Sequence, residues 1–313
     1  MMWFNNVVMY QYELSDETDL TTCLSPDYMK PCPPHARFIY GWLPPFADEI
    51  VHEIAGCTMI CMGKEERLLP RGVINRLLTE RVKNLETQRG YPVKRAEKSQ
   101  MSEDLEFELL PKAFCLQKRL PAFFDSVSKR LIINTSSENQ GAQLTSLLRK
   151  SVPGIRIEPL QQTENLAIRF AEWINNPSSL PPNIQLASDC LLFSLDNEKK
   201  RFNCKGYELP ADEITTLLAQ GLAVAELSLI WNERIQFTLT QDFVLKRIKC
   251  LDYLLDEFNE TRALEEGCQQ QDAALTILSG EMRSLIDELL ASSPAPVTTQ
   301  QENTSQILEE CPF

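Results

Sequence analysis

Residues 222–250, LAVAELSLIWNERIQFTLTQDFVLKRIKC, decide the fold class. Three runs, 222–231, 234–240 and 244–249, are rich in Leu, Ile, Val, Phe and Thr and are separated only by short polar breaks. Such breaks are too short for a helical crossover, so successive strands here must reverse and pair antiparallel. A doubly wound sheet would need strand and helix to alternate. The class is therefore α+β: antiparallel sheets and helices distributed over several subdomains.

Upstream, LLFSL at 191–195 and RFNCKGY at 201–207 read as strands, and Ala211-Asp212-Glu213 opens a helix. Downstream, acidic helices run from about Asp252 to Ala291. The segment 292–313 is rich in Pro, Ser, Thr and Gln and is expected to be disordered. The breaks Asn176-Pro177 and Leu180-Pro181-Pro182 divide the rest into regions 1–175 and 176–291. In the first region, Trp3–Tyr12, Arg37–Trp42 and Cys57–Met62 read as strands, the last a buried strand with Cys57, Met59 and Cys61 on one face and Thr58, Ile60 and Met62 on the other. Ser15 is expected to cap a short helix ending near Leu24. Val73, Ile74, Leu77, Leu78, Val82 and Leu85 recur at helical spacing between Pro70 and Gly90, and a second helix spans about Lys94 to Leu110. That second helix opens on basic residues, against the usual dipole preference. Two or three strands over Ala113–Thr135, helices at Ser137–Lys150 and Asn165–Ile174, and a strand at Ile155–Ile157 complete the region.

With 43% hydrophobic and 24% charged residues among 313, disordered and fibrous classes are excluded. The net charge of −13 argues at first against nucleic acid, but its distribution reverses that reading. Residues 1–63 carry −6, residues 64–250 carry +4 and residues 251–313 carry −11, so a basic surface can sit in the middle of an acidic chain. Ten bases against five acids fall between Lys64 and Lys98, among them Lys94, Arg95 and Lys98. Further clusters are Lys112 with Lys118 and Arg119, Lys129-Arg130, Arg149-Lys150, Lys199-Lys200-Arg201 with Lys205, and Lys246-Arg247 with Lys249. Any one of these is an ordinary solvated face. Converging on one surface, they would attract phosphates by charge alone, without reading bases. No helix-turn-helix, zinc-finger, RNP or KH pattern is present, which points away from sequence-specific binding.

No P-loop, GxGxxG, GxSxG, HExxH or EF-hand spacing occurs, so no catalytic residues and no cofactor are assigned. Only His35 and His52 could serve a thiol enzyme, and the CTMIC pair Cys57/Cys61 has no second close pair to complete a Cys₄ site, so no metal is expected either. The ten cysteines have irregular spacing and read as free thiols of a reduced, cytoplasmic protein. No apolar run reaches membrane-spanning length. Trp42, Trp173 and Trp231 sit in apolar or amphipathic stretches and read as core anchors rather than base-stacking platforms.

Eight blocks together resemble the bacterial recombination-associated RdgC family: MMWFNNVVMY at the start, GWLPP at 41–45, KEERLLP at 64–70, ELLPKAF at 108–114, LLRKS at 147–151, ELPADEIT at 208–215, then WNERIQF and LKRIKC between 231 and 250. They occur in order over about residues 1–290. The resemblance implies a non-catalytic protein that binds duplex DNA without sequence preference, closes as a ring-shaped homodimer around it, is nucleoid-associated and restrains RecA-promoted recombination. It implies two dimer contacts, one strand-based and one helix-based. It places Lys112 near the hole, Phe114 at the closing contact, and Lys205, with Tyr207 beside it, on an inward loop. The family's usual basic or amide position beside Lys205 is filled here by Gly206 and Tyr207. Charge clustering adds Lys94, Arg95, Lys98, Lys200 and Arg201 to the DNA-binding set. The alternative is an acidic protein that contacts a recombinase such as RecA directly, with DNA affinity secondary.

Overall fold

Alternating and β-branched runs pair into sheets, and the runs at helical spacing cover them. The computed structural model describes residues 4–46, 48–160, 165–264 and 268–291. The segment 292–313, expected to be disordered, lies outside them. β1 (Val8–Glu13) and α1 (Leu20–Leu24) are followed by β2 (Phe38–Leu43), β3 (His52–Ile54), β4 (Cys57–Arg67), α2 (Arg71–Arg89) and α3 (Arg95–Leu109). Then come β5 (Cys115–Asp125), β6 (Arg130–Ile133), α4 (Glu138–Ser151), β7 (Arg156–Pro159) and α5 (Leu166–Asn175). β8 (Ile184–Ser194), β9 (Asn197–Lys205), α6 (Asp212–Ala219), β10 (Leu222–Trp231), β11 (Ile235–Thr240) and β12 (Leu245–Cys250) lead to α7 (Asp252–Leu264) and α8 (Cys268–Ala291).

The chain is α+β with two antiparallel sheets. The first runs β2-β4-β5-β6-β1-β7, with β3 also on β4, and the second runs β12-β11-β10-β8-β9. The 222–250 meander forms as read: β10 pairs β11 and β11 pairs β12, both antiparallel. Asn232 and Glu233 take φ of 50° and 54°, the left-handed centre of the turn that Arg234 N–H closes onto the Trp231 carbonyl at 2.9 Å, with Trp231 then pairing with Ile235. The two sheets are joined through backbone: Val7 and Leu245 exchange hydrogen bonds at 2.8 and 3.0 Å, and Ile248 N–H donates to the Asn5 carbonyl at 2.8 Å.

One apolar cluster runs from the first sheet (Phe4, Met9, Met59, Phe123) through α5 to the second sheet and the inner face of α8. A second cluster lies on the opposite face of the first sheet, under α4. β4 is consequently buried on both sides. Cys57 and Met59 enter the first cluster while Ile60 and Met62 enter the second, so the strand is buried as its sequence suggested. Trp42, Trp173 and Trp231 are all buried, with Trp42 donating to Ser151 Oγ at 2.9 Å and Trp231 to Glu288 at 2.7 Å. The cap of α1 is Asp19, not Ser15: the Asp19 side chain accepts from Thr21 N–H, and the helix is accordingly shorter than expected. The strand β3, a three-residue pairing on β4, has no separate signal in the sequence.

α2 and α3 form a hairpin inserted between β4 and β5. It starts just after Pro70, turns at Gly90, which holds a left-handed φ of 76°, and returns from Lys94. β4 and β5 pair along eleven residues each, a ribbon of about 35 Å. The end at Cys57 and Asp125 is buried, whereas residues 115–119 of β5 are exposed. The hairpin is rooted at this exposed end.

Candidate nucleic-acid interface

The hairpin is held together mainly by charge and a narrow apolar seam. Ile74, Leu78 and Leu105 are its buried residues, and Val73, Leu77, Val82 and Leu85 of the expected stripe are only partly covered. Arg81 pairs with Glu108 at 2.6 Å and Arg89 pairs with Glu97. At the root, Arg37 pairs with Glu106, and His35 stacks on Phe107 with ring centroids 4.0 Å apart. Lys94 occupies the N-cap of α3 with no side-chain cap bond, and Arg95 and Lys98 follow in the first turn. All three are exposed, and among the described residues none forms an ion pair. Cations at a helix start are locally unfavourable because they face the positive end of the dipole. An incoming polyanion would relieve that cost.

Lys112 closes the short 3-10 turn Leu110–Lys112 that leads from α3 into β5. It is exposed, without an ion pair among the described residues. Phe114, the residue before β5, is 84% exposed, an unusual position for a phenylalanine, so it is not a core strand residue. Beside it, β6 covers β5 only from Ala122 to Asp125, so among the described residues no strand pairs with the outer edge of Cys115–Leu120. Leu68 and Leu116 are also exposed here, and Leu68 N–H bonds the Phe114 carbonyl at 2.7 Å. An open strand edge with exposed apolar side chains is a template for pairing with another chain.

Lys200, Arg201 and Lys205 lie on β9, an edge strand of the second sheet, and all three are exposed. Lys205 is the last residue of that strand rather than part of a projecting loop. The reason is local: Gly206 N–H bonds Asp189 Oδ1 and Tyr207 N–H bonds the Ser188 carbonyl, both at 3.0 Å, tying the turn back onto β8. The seven basic candidates thus occupy the start of α3, the α3–β5 corner and the β9 edge.

Most members of the other basic clusters are taken up within the chain, whereas Lys249, and Arg71, Arg76 and Lys83 on the hairpin, are exposed and form no ion pair among the described residues. Lys129 pairs with Asp16, Arg130 with Asp287, Lys150 with Asp27, Lys118 with Glu66, and Lys246 and Arg247 share Glu226. Arg119 and Arg149 donate to backbone carbonyls of Pro44 and Ile157. This sorting of paired from unpaired cations is invisible in the sequence.

Three thiols are the opposite of activated nucleophiles: burial pushes Cys57 and Cys250 up to about 12 and raises Cys190, which faces Cys204 across β8 and β9. His52 lies 2.6 Å from Asp272 and edge-on to Phe46, so it too is engaged in packing. Among the described residues no cluster of three His, Cys, Asp or Glu side chains could hold a metal ion, and no helix is long and apolar enough to cross a membrane.

Residues 2–292 match a family model described as "Putative exonuclease, RdgC". The recombination-associated protein RdgC of Psychromonas ingrahamii is 32% identical over 297 residues, covering 93% of this chain and 98% of that protein. Those of Pseudoalteromonas translucida and Yersinia pestis are each 30% identical, over 294 and 298 residues, covering 92% and 93% of this chain and 96% and 97% of theirs. A family match over residues 2–292, with relatives at least 30% identical along nearly their whole length, means that the chain belongs to the RdgC family.

Proposed function

We propose that this protein binds duplex DNA without sequence preference, encircles it as a ring-shaped homodimer and so restrains RecA-promoted recombination. The observation that carries the DNA reading is the sorting of cations. Lys94, Arg95, Lys98, Lys112, Lys200 and Lys205 stand exposed and, among the described residues, without carboxylate partners, while Lys118, Lys129, Arg130, Lys150, Lys246 and Arg247 are neutralised. Cations left unpaired in a protein of net charge −13 are the groups free to meet phosphate. Homodimerisation is supported by the open β5 edge with Phe114 beside it, since a two-fold axis pairs a strand edge with itself. Restraint of recombination follows from occupancy, because a strand-exchange protein cannot use duplex that is already enclosed. The names of the relatives support the recombination context.

The test is a titration of purified protein against unrelated duplexes at several salt concentrations. With about 4–8 phosphates neutralised, log K should fall against log salt with a slope of about −4 to −7, similar for every sequence. Lys112→Ala and Lys205→Ala should each reduce that slope by about 1. A flat salt response with direct binding to the recombinase would favour the acidic partner-binding alternative. Linear duplex incubated with Mg²⁺ should remain full length, and release of nucleotides would overturn the non-catalytic part of the reading.

A further inference from the structure

We infer that Arg67 is the positioning residue of the corner that presents Lys112 and Phe114, an inference that rests on Phe114 being the ring-closing side chain. Arg67 is the last residue of β4, opposite Cys115 on β5. Its guanidinium is directed at backbone carbonyls from two separate loops. Nε donates to Pro33 O at 3.2 Å and Nη2 to Cys32 O at 3.0 Å. Nη1 is shared among Leu110 O at 3.2 Å, Pro111 O at 3.4 Å and Ala113 O at 3.2 Å. Its own N–H bonds the Arg37 carbonyl at 2.8 Å.

Two consequences follow from this arrangement. First, among the described residues Arg67 has no carboxylate partner, so its donors go to backbone dipoles, and the planar fork can reach both loops at once. A lysine would supply three donors from a single point and could not span the same set. Second, the carbonyls of Leu110, Pro111 and Ala113 are turned inward onto the guanidinium, which fixes the course of the chain from α3 to β5. Lys112 and Phe114 are left facing solvent at the end of a fixed turn rather than on a mobile one. An exposed aromatic that must meet a second subunit gains affinity from such preorganisation, because less freedom is lost on contact.

The experiment uses Arg67→Gln and Arg67→Lys in the full chain, each alone and combined with Phe114→Ser. Hydrogen exchange at residues 110–114 should rise in Arg67→Gln and less in Arg67→Lys, with cooperative unfolding retained in both. Retention on closed circular DNA after a salt challenge should fall about tenfold in Arg67→Gln, as expected for loss of about 1.4 kcal/mol of closing contact. In the Phe114→Ser background the same substitution should cause no further loss, because its effect is exerted through that side chain. Unchanged exchange at 110–114, unchanged retention in Arg67→Gln, or full additivity with Phe114→Ser would each overturn the role of Arg67. If Arg67→Gln does not fold, Arg67→Lys decides by the same three measurements. If Phe114→Ser alone is retained like the parent, it is the closing role of Phe114 that fails, and the exchange data still judge the anchor separately.

Discussion

Arg283→Met is expected to destabilise the protein by about 3 kcal/mol, because it leaves a carboxylate buried without its cation. Asp125 ends β5 and is completely buried, and Arg283 on α8 grips it through Nε and Nη2, both at 2.7 Å. Ser128 Oγ at 2.6 Å and Val127 N–H at 3.0 Å complete its shell. Burial pulls the Asp125 pKa upward, but the hydrogen bonds from Arg283, Ser128 and Val127 and the Arg283 charge outweigh it, holding the carboxyl below its ordinary value. The pair contributes stability that is present above the unfolded carboxyl pKa and is lost as pH falls through the lower folded value. In Arg283→Met the balance tips back toward burial and the folded pKa rises, so protonation relieves the buried charge: the cost of the substitution should be largest near pH 7 and shrink as pH falls. Chemical denaturation across pH 3–7 measures both effects. Adding Asp125→Asn should recover part of the loss by removing the buried charge. An Arg283→Met midpoint indistinguishable from the parent at pH 7 would show that α8 does not depend on this grip.

Phe114→Ser should abolish stable enclosure of DNA while leaving the monomer folded. The side chain is 84% exposed, so its removal leaves no core cavity, in contrast to a buried phenylalanine. In the proposed dimer its contribution lies in a contact with a second subunit, where loss of an aromatic anchor costs about 2–4 kcal/mol. The cations on α3 and β9 stay in place, so first binding and its salt slope should survive. What should drop, by a factor of about 30 or more, is retention on closed circles at raised salt. Thermal unfolding checks the fold, and sedimentation at several concentrations checks whether the remaining contact still joins the subunits. A variant that folds, dimerises and is retained like the parent contradicts the closing role.

Most of the strand and helix pattern could be read from the chain because local signals agreed with the final packing. Gly90 ended α2, Ser137 capped α4 by accepting from Gln140 N–H, and Asn165 capped α5 by accepting from Ala167 N–H. Where the reading failed, tertiary context had decided. Asp19 displaced Ser15 as a cap because either side chain could serve and only packing of Leu20 and Leu24 selects between them.

The candidate site was legible as composition but not as geometry. Clusters such as Lys129-Arg130 and Lys246-Arg247 looked no different from Lys94-Arg95, since their neutralising partners Asp16, Asp287 and Glu226 are remote in sequence from most of them. The carbonyl cage around Arg67 left no trace either, because backbone acceptors have no sequence signature. Phe114 could be singled out only by resemblance. Its flanks, Ala113 and Cys115, read equally well as a core strand, and exposure became visible only once β6 was seen to stop at Ala122.

The central claim, enclosure of DNA by a closed dimer, is tested most directly by loading the unmodified protein on closed circular plasmid and on the same plasmid cut once. Both are then challenged with salt high enough to screen phosphate contacts. A ring around a circle cannot leave without opening, whereas on a linear molecule it can slide off an end. Enclosure predicts protein retained on the circle and released from the linear form, with retention lost when the circle is cut after loading. Equal release from both forms would contradict enclosure and leave a surface-bound, purely electrostatic complex.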